Sequence, residues 1–411
     1  MANTRLKIPT PIITSLLEND AYKFSMGQAI YHQFPGYKTT WEFRCRNKGI
    51  HFTKEMVEDI INEIRLYCTL RFTEQELAYL KETTPWIKGN YIDFLRLWHP
   101  NFDDIHVSDK ADCGLAITAT GTWLNTSMYE VPILAIVNEV YFRHAYDYDS
   151  LFDDFRRRTD AKFDMLKTGK WYAGTFSEFG LRRRLSAQAQ AYVVEKFAHL
   201  NDTMHSASTF VGTSNVLLAK ENNVKKVGTQ AHEWIMGVGQ GNPRHNPAYS
   251  NYYAMKAWIE EYGVQNGIAL TDTIGTKTFL KDFDLTFATL FSGVRHDSGD
   301  PYKWGDMMLD HYAKLGIDAK TKTLLFSDSL DFERADKLFR YFNDKTDVAF
   351  GIGTYLANDT YVEPLNIVMK MVRCNGSDVA KVSDAPGKGM CCNPGYVDYI
   401  KRSIDWRLTN A

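Results

Sequence analysis

Carboxylate, arginine and hydroxyl side chains follow two short apolar runs, and their types suit the binding of a sugar phosphate. One run ends in Thr271, Asp272 and Thr273, and another leads into Arg295 and Asp297. Carboxylates at a strand end can orient ribose hydroxyls and recruit a hard cation such as Mg²⁺. Arginine binds a carboxylate or phosphate through two parallel hydrogen bonds. A helix cap explains Asp272 equally well when it is taken alone, but capping does not explain Arg295 together with Asp297.

Two later runs end in small or hydroxylated residues that could hold a phosphate. Ser327 and Asp328 end the first of these runs, and Gly351, Gly353 and Thr354 end the second. Small side chains expose backbone N–H groups at a helix start, and in many (β/α) barrels the last two strands hold a phosphate. These residues therefore predict a phosphate site. The glycine pair alone is weak evidence, because the third glycine of a dinucleotide fingerprint is absent.

A histidine and a run of arginines mark two further strand ends. His232 follows a run that ends near Gly228, where a structural histidine is as common as a functional one. A metalloprotease helix is excluded, because Met236 stands where its second histidine is required. Three arginines at 182–184 are more often a solvated face, but they oppose the dipole at a helix start and so favour a bound phosphate.

The elements that must position these side chains alternate between strand and helix. From residue 175 onward, apolar runs recur and are mostly followed by a helical pattern, which is typical of a parallel sheet. Candidate residues follow most strands rather than one switch point, which favours an irregular (β/α) barrel of about seven parallel strands over an open doubly wound sheet. The predicted strands are 175–179, 208–212, 224–228, 267–272, 291–297, 322–328 and 347–353.

The remaining segments predict a separate α/β layer. The first 130 residues mix a helical stretch at 54–70 with a strand-like stretch at 39–46, and a helix with one apolar face begins at Glu130. A hairpin with its turn at Asn375 and Gly376 is predicted near the end of the chain, where it should rejoin the N-terminal layer.

Composition narrows the class of protein. The net charge of -2 over 411 residues supplies no positive field for nucleic acid. Six cysteines without a CxxC pair predict reduced thiols rather than disulfides or a zinc site. We see neither a signal peptide nor a membrane-spanning run, and therefore expect a cytoplasmic protein.

The motifs resemble those of bacterial nicotinate phosphoribosyltransferases, in matching order over most of the chain. They are DAYK at 20–23, EFRCR at 42–46, EFGLRRR at 178–184, GTSN at 212–215, GTQAHEW at 228–234, ALTD at 269–272, RHDSGDP at 295–301 and FGIGT at 350–354.

This resemblance implies a type II phosphoribosyltransferase of the NAD biosynthesis (salvage) route. Such enzymes form nicotinate mononucleotide and pyrophosphate from nicotinate and phosphoribosyl pyrophosphate, with Mg²⁺, and couple the reaction to ATP hydrolysis through a phosphohistidine, as a ligase does. The implied fold has an α/β sandwich domain at 1–130, a barrel domain at 131–360 and a C-terminal segment at 361–411 that returns to the sandwich. A homodimer with shared active sites is also implied.

The resemblance also assigns roles to individual residues. His232 is the phosphohistidine, with Asp272 and Asp297 beside it as catalytic residues. Phe179 and the partner subunit's Tyr22 would stack on the pyridine ring. Ser214 and Arg295 complete the nicotinate pocket.

The phosphate groups have their own implied ligands. The residues around the phosphoribosyl group are Arg46 (from the partner), Arg182, Ser327, Asp328, Gly351, Gly353 and Thr354. Lys370, Lys381 and Lys388 match lysines that bind ATP phosphates, although lysines in a hairpin commonly only protect a sheet edge. Mg²⁺ is expected to bind mainly through substrate phosphates.

Position 214 bears on the choice of substrate. Relatives that use nicotinamide carry an aspartate there, and such an acid would repel a ring carboxylate at close range. The Ser214 hydroxyl therefore suits nicotinate. Alternatives are a nicotinamide or quinolinate phosphoribosyltransferase, a barrel sugar hydrolase that uses Asp272 and Asp297, and a non-catalytic nucleotide-binding protein.

Overall fold

The computed structural model describes residues 11–109, 111–202, 208–384 and 391–410, which form two sheets surrounded by helices. One sheet has five antiparallel strands in the order β12-β11-β1-β3-β2. Its strands are β1 Lys38–Cys45, β2 Ile105–Ser108, β3 Ala116–Thr122, β11 Ile367–Cys374 and β12 Ser377–Asp378. The sheet therefore joins N-terminal and C-terminal segments, as predicted.

The other sheet has seven parallel strands in the order β6-β5-β4-β10-β9-β8-β7. These are β4 Thr175–Glu178, β5 Thr209–Thr213, β6 Lys225–Lys226, β7 Ile268–Leu270, β8 Gly293–His296, β9 Thr323–Phe326 and β10 Asp347–Ile352. Pairing of the last strand, β10, with the first, β4, curls the sheet into a barrel. The gap lies between β6 and β7, where Gln230 N donates to Ile268 O at 3.3 Å. The predicted irregular barrel of seven strands is confirmed.

Helices cover both sheets. They are α1 Ala21–Gln33, α2 Lys54–Thr69, α3 Glu74–Thr83, α4 Gly89–Leu97, α5 Trp123–Ser127, α6 Glu130–Ala145, α7 Tyr148–Lys167, α8 Ala187–Ala198, α9 Val216–Glu221, α10 His232–Gln240, α11 Ser250–Tyr262, α12 Thr276–Asp282, α13 Leu285–Leu290, α14 Pro301–Lys314, α15 Phe332–Phe342, α16 Thr354–Ala357 and α17 Pro394–Asn410. No described helix combines the length and apolar character needed to cross a membrane.

Helix α6 differs from the prediction of one apolar face. Its residues from Glu130 to Phe142 are all buried, because the helix lies against α2, against β11 and against the 3-10 turn Leu181–Arg183. A helix enclosed on several sides is apolar around most of its circumference. Among its buried polar groups, the Asn138 side-chain N–H donates to Arg184 O at 2.7 Å, whereas Asn138 Oδ1 has no hydrogen-bond partner among the described residues.

The C-terminal hairpin turns where the sequence predicts it. Asn375 and Gly376 have φ of 51° and 84°, the left-handed region that a two-residue hairpin turn requires. Strand β11 pairs with β1, and Lys370 stands opposite Glu42. This pairing carries the chain back towards the barrel rim, where Lys381 reaches the strand ends. The domain boundaries at 130 and 360 stay a prediction.

Candidate active site

The three predicted catalytic side chains lie together at the carboxyl ends of the barrel strands. His232 begins α10, Asp272 follows β7 and Asp297 follows β8. The His232 Nε2 atom lies 2.8 Å from Asp272 Oδ1 and 3.6 Å from Asp297 Oδ2. Asp272 does not cap α12, which begins at Thr276; its carboxylate faces His232 instead.

Arg295 ties three loops to this cluster. Its guanidinium donates from Nη2 to Asp297 Oδ1 at 2.8 Å, from Nε to Ser327 Oγ at 2.7 Å and from Nη1 to Thr229 Oγ1 at 2.9 Å. The Ser327 hydroxyl also lies 3.1 Å from Asp297 Oδ1. An arginine has five N–H groups, so the fork retains donors for an anionic ligand beyond these bonds.

Lys381 points into the cluster and does not guard a sheet edge. Its Nζ atom lies 2.9 Å from Asp272 Oδ2 and 3.8 Å from Asp297 Oδ2. Lys370 also points inward and lies 3.2 Å from Glu130 Oε1. The third lysine of this prediction, Lys388, lies outside the described residues.

The electrostatics of the pair His232 and Asp272 define the protonation state. Burial and the Lys381 ammonium lower the pKa of His232. Burial raises the pKa of Asp272, but His232, Lys381 and the Ser298 hydroxyl outweigh burial and hold this pKa well below its usual range. The neutral imidazole therefore donates its Nε2–H to the Asp272 carboxylate. Its Nδ1 atom makes no hydrogen bond to the part of the chain that the structure describes, so a lone pair is available there.

A second group of charges surrounds Arg182. Its Nε atom lies 3.5 Å from Asp20 Oδ2, and its Nη1 atom lies 3.4 Å from Glu130 Oε1. Burial raises the pKa of Tyr22, and the nearby cations Lys23 and Arg182 oppose that rise. The three arginines do not act alike: Arg184 is buried in an ion pair, with its Nη1 atom 2.8 Å from Glu18 Oε2.

Tyr22 interacts electrostatically with Arg182, and Arg46 with Arg183, within one chain. The Ala21 amide donates to Ser214 O at 2.8 Å, which fixes the start of α1 beside β5. Burial, Arg182 and Arg46 together lower the pKa of Arg183 to about 10. Both residues therefore lie within electrostatic range of arginines of their own chain. That the partner subunit's Tyr22 and the partner's Arg46 serve this active site stays a prediction.

Two residues predicted to bind nicotinate, Phe179 and Ser214, are held by neighbouring strands and loops. The Phe179 amide donates to Ile352 O at 2.8 Å, which holds its ring over Gly351. A Cβ atom at Gly351 would lie 2.4 Å from that ring. Ser214 is buried, and its hydroxyl lies 2.7 Å from Asp20 Oδ1.

The two predicted phosphate loops are neighbours. Ser327 and Asp328 follow β9, and Gly353 and Thr354 follow β10, which pairs with β9 in parallel. Gly353 and Thr354 open α16, where the Gly353 carbonyl accepts from Leu356 N at 2.9 Å. Backbone amides at a helix start suit a phosphate oxygen.

Several residues of the site escaped the sequence prediction. Ser298 donates to Asp272 Oδ2 at 2.6 Å, and Lys23 lies 2.8 Å from Glu130 and 2.7 Å from Glu233. Ser298 stands between Asp297 and Gly299 in a motif that the resemblance already marks, which was a usable signal. Lys23 and Glu233 also stand in such motifs, but nothing local predicts that they pair, because the partners of this ion network are separated by 107 to 210 positions along the chain.

The comparisons with known proteins agree with this geometry. The profile of the nicotinate phosphoribosyltransferase (NAPRTase) family matches residues 175–407, and the profile of the NAPRTase N-terminal domain matches residues 17–138. Nicotinate phosphoribosyltransferase from Cupriavidus necator is 44% identical over 393 residues, which cover 95% of this chain and 98% of the relative. The enzyme of the same name from Bordetella pertussis is 43% identical and covers 95% of each chain.

Solved structures show the same relationship. Nicotinate phosphoribosyltransferase from Vibrio cholerae superposes with a TM-score of 0.89 at 35% identity, covering 98% of this chain and 96% of that one. A putative nicotinate phosphoribosyltransferase from Saccharomyces cerevisiae gives a TM-score of 0.87 at 32% identity, covering 96% and 99%. With its strand-end cluster, its two-sheet fold and relatives matched along their whole length, this chain belongs to the nicotinate phosphoribosyltransferase family.

Proposed function

We propose that this protein transfers the 5-phosphoribosyl group of phosphoribosyl pyrophosphate to nicotinate, coupled to ATP hydrolysis through phosphorylation of His232. The observation that carries the proposal is the hydrogen-bonded cluster of His232, Asp272, Asp297 and Arg295 at the barrel rim. Relatives that carry the name nicotinate phosphoribosyltransferase match the chain over nearly its full length. The proposal includes a role in NAD biosynthesis.

In the phosphorylation step, the lone pair of His232 Nδ1 attacks the γ-phosphorus of ATP. The bond between that phosphorus and the β–γ bridging oxygen breaks, and ADP leaves. Asp272 accepts a hydrogen bond from Nε2–H throughout and stabilises the positive charge that develops on the ring. The added phosphoryl group brings about -1.5 to -2 charges, which Lys381 and Arg295 are placed to neutralise.

In the transfer step, the pyridine nitrogen attacks the anomeric carbon as its bond to the pyrophosphate oxygen breaks. The sugar carries positive charge in the transition state, so the enzyme must stabilise the leaving pyrophosphate and align the ring. Arg182 and the phosphate loops stabilise the leaving pyrophosphate. Phe179, Tyr22 and Arg295 align the pyridine ring. No side-chain nucleophile is needed for this step.

A divalent cation fits the carboxylates of the cluster. One donor atom each from His232, Asp272 and Asp297 lie within 4.8 Å of one another. The His232 Nε2–H is committed to Asp272, so Mg²⁺ would bind the two carboxylates and the substrate phosphates rather than the imidazole. When bound, Mg²⁺ neutralises charge on the departing pyrophosphate.

The preference for an acid substrate rests on nearby arginines and on the absence of an acid at position 214. The Ser214 hydroxyl donates to Asp20, so its proton is not available to a ligand carboxylate. Arg182 and Arg295 provide positive charge on the ligand side, and they favour nicotinate over its amide.

The assembly and location belong to the same proposal. A homodimer with shared active sites is retained from the family resemblance, in which the partner subunit's Tyr22 and the partner's Arg46 complete each site. A cytoplasmic location agrees with six free cysteines among the described residues.

The test of this function is a comparison of acceptors. The purified protein, with phosphoribosyl pyrophosphate, Mg²⁺ and ATP, is given nicotinate, nicotinamide or quinolinate, and the products are identified by mass spectrometry. We expect nicotinate mononucleotide and one pyrophosphate per turnover from nicotinate only. Efficient use of nicotinamide or quinolinate, or sugar hydrolysis without pyrophosphate, would reject the assignment.

A further inference from the structure

Glu130 is a buried carboxylate that the proposed mechanism does not use, although three cations converge on it. It begins α6, and its side chain is 3% exposed. Its Oε2 atom lies 2.8 Å from Lys23 Nζ. Its Oε1 atom lies 3.2 Å from Lys370 Nζ and 3.4 Å from Arg182 Nη1. Burial raises the pKa of Glu130, but the three cations outweigh burial and hold this pKa well below its usual range, so the carboxylate is ionised.

The three cations are not neutralised to the same extent. Lys23 is fully buried and also lies 2.7 Å from Glu233, so two carboxylates enclose it. Lys370 and Arg182 share one oxygen atom of Glu130, at distances longer than the about 2.7 to 2.9 Å of a close charge-assisted hydrogen bond. Glu130 is the only carboxylate within ion-pair distance of Lys370 among the described residues. Lys370 and Arg182 therefore keep N–H groups for a ligand.

The two incompletely neutralised cations are accessible and border the strand-end cluster. The side chains of Lys370 and Arg182 are 25% and 33% exposed, whereas the carboxylate that holds them is buried. Arg182 lies within electrostatic range of Asp297, and Lys370 lies within range of Lys381. A ligand bound at the strand ends can therefore reach both cations without contacting Glu130.

We propose that Glu130 is a positioning residue, which holds Lys370 and Arg182 side by side so that they bind neighbouring oxygens of the diphosphate group of the sugar donor. Lys370 Nζ and Arg182 Nη1 lie within 3.4 Å of the same oxygen atom, a spacing that suits two donors to one diphosphate. Recognition rests on these directed N–H groups rather than on net charge, because Glu130 and Asp20 balance much of the local positive charge. The inference rests on the proposed function, which assigns no role to Glu130.

The direction of the effect separates positioning from simple electrostatics. Removal of a negative charge beside an anion site would, by charge alone, tighten the binding of an anion. Glu130 also keeps Lys370 protonated, because burial lowers the pKa of Lys370, Glu130 raises it and Arg182 lowers it further. Without the carboxylate, Lys370 and Arg182 repel each other and lose the oxygen that holds them together. Weaker binding of the anion after neutralisation of Glu130 therefore indicates positioning.

The first test is Glu130→Gln, which retains the size of the side chain and removes its charge. Equilibrium binding is measured by calorimetry with phosphoribosyl pyrophosphate and ADP as separate probes, each with Mg²⁺, so that the two sources of a diphosphate group are distinguished. We expect Glu130→Gln to weaken the binding of phosphoribosyl pyrophosphate by about tenfold and to leave ADP binding unchanged. Unchanged or tighter binding of phosphoribosyl pyrophosphate, equal weakening of both probes, or no binding of phosphoribosyl pyrophosphate to the wild type overturns the proposal.

Glu139→Gln is the matched control on the same helix. Glu139 is also buried and lies 2.7 Å from Arg143, but it stands nine residues further along α6, about 13 Å away. Both substitutions neutralise a buried carboxylate in an ion pair, so both lower stability. We expect the affinity of Glu139→Gln for phosphoribosyl pyrophosphate to equal that of the wild type. A loss of affinity as large as in Glu130→Gln overturns the proposal, because it would report a general loss of structure.

The second test is a double-mutant cycle with Lys370→Met. If Glu130 acts through Lys370, Glu130→Gln weakens the binding of phosphoribosyl pyrophosphate less in the Lys370→Met background than in the wild type. An equal loss in the two backgrounds overturns the proposal. Glu130→Asp replaces Glu130→Gln in both tests if the latter does not fold, because it retains the charge and withdraws the oxygens by one methylene. It should weaken binding of the sugar donor as well, and unchanged binding overturns the proposal.

The positioning role and the proposed function fail in different ways. Binding of phosphoribosyl pyrophosphate is measured without nicotinate or ATP. If Glu130→Gln weakens this binding but the wild type forms no nicotinate mononucleotide, the role of Glu130 stands and the proposed function fails. If nicotinate mononucleotide is formed and Glu130→Gln leaves this binding unchanged, the role of Glu130 alone fails.

Discussion

At the scale of single residues, the site depends on which atom of His232 carries its proton. The carboxylate of Asp272 faces Nε2 at 2.8 Å, so the proton stays on Nε2 and the lone pair stays on Nδ1. Lys381 contacts the same carboxylate at 2.9 Å and keeps it ionised. The sequence predicted His232 and Asp272 as site residues. It did not predict that Asp272 fixes the tautomer of His232, because their hydrogen bond joins residues 40 positions apart.

Replacing the carboxylate tests this relationship. Asp272→Asn retains a hydrogen-bond acceptor but removes the negative charge that stabilises the imidazolium, and the amide can also hold the wrong tautomer. We expect phosphorylation of His232 to slow by about 10²- to 10⁴-fold, measured by rapid quench with labelled ATP. Asp310→Asn, on the exposed face of α14, is the matched control and should behave as the wild type.

The charge on Lys381 should set the acidic limit of phosphorylation. Burial and Lys381 lower the pKa of His232, so the imidazole stays neutral to a pH below its usual range of titration. Removing the ammonium in Lys381→Met raises that pKa. The acidic limb of the phosphorylation rate should therefore move to higher pH, whereas Lys54→Met leaves it in place. A limb that stays fixed or moves to lower pH contradicts this assignment.

At the scale of elements, each strand of the barrel delivers one part of the site. Asp272 follows β7, Arg295 to Asp297 span the end of β8, and Ser327 follows β9. The parallel pairing of these strands makes their ends adjacent. Alternation of apolar runs and helices was sufficient to predict this part. The approach of α1 was not predictable, because Asp20 forms an isolated bridge with Asn215, nearly two hundred positions away, without any local pattern.

A glycine in β10 determines the position of the Phe179 ring. A Cβ atom at Gly351 would lie 2.4 Å from ring carbons, so Gly351→Ala must displace the ring. We expect a loss of about 1 to 3 kcal/mol in stability and a raised KM for nicotinate. Gly36→Ala is the control, because nothing lies within 4 Å of a Cβ atom built there. An unchanged nicotinate KM would show that Phe179 does not contact the ring.

A buried lysine connects three helices behind the site. Lys23 of α1 is fully buried between Glu130 of α6 and Glu233 of α10. Lys23→Met leaves the two carboxylates without this cation, and we expect a loss of about 3 to 5 kcal/mol in unfolding free energy. Lys54→Met, at an exposed position, should change it by about 0.5 kcal/mol or less. Urea denaturation of both variants measures the difference, and similar losses in the two would refute the role of this network.

At the scale of the whole molecule, the two sheets are built so that distant segments meet. The hairpin at 367–378 pairs with β1, and this pairing brings Lys370 and Lys381 to a barrel whose last strand ends at Ile352. Hydrophobic periodicity predicted the barrel strands, and turn residues predicted the hairpin. Neither signal could predict that α6 would be enclosed on several sides, since that depends on how the layers pack.

The central claim is that one pocket couples phosphorylation of His232 to phosphoribosyl transfer. The most direct measurement is incubation of the protein with γ-labelled ATP, followed by mapping of acid-labile phosphate and by a chase with nicotinate and phosphoribosyl pyrophosphate. We predict label on the peptide that contains His232, none in His232→Ala, and discharge during the chase as nicotinate mononucleotide forms. Label on another residue, or full stimulation by ATP in His232→Ala, would contradict the account.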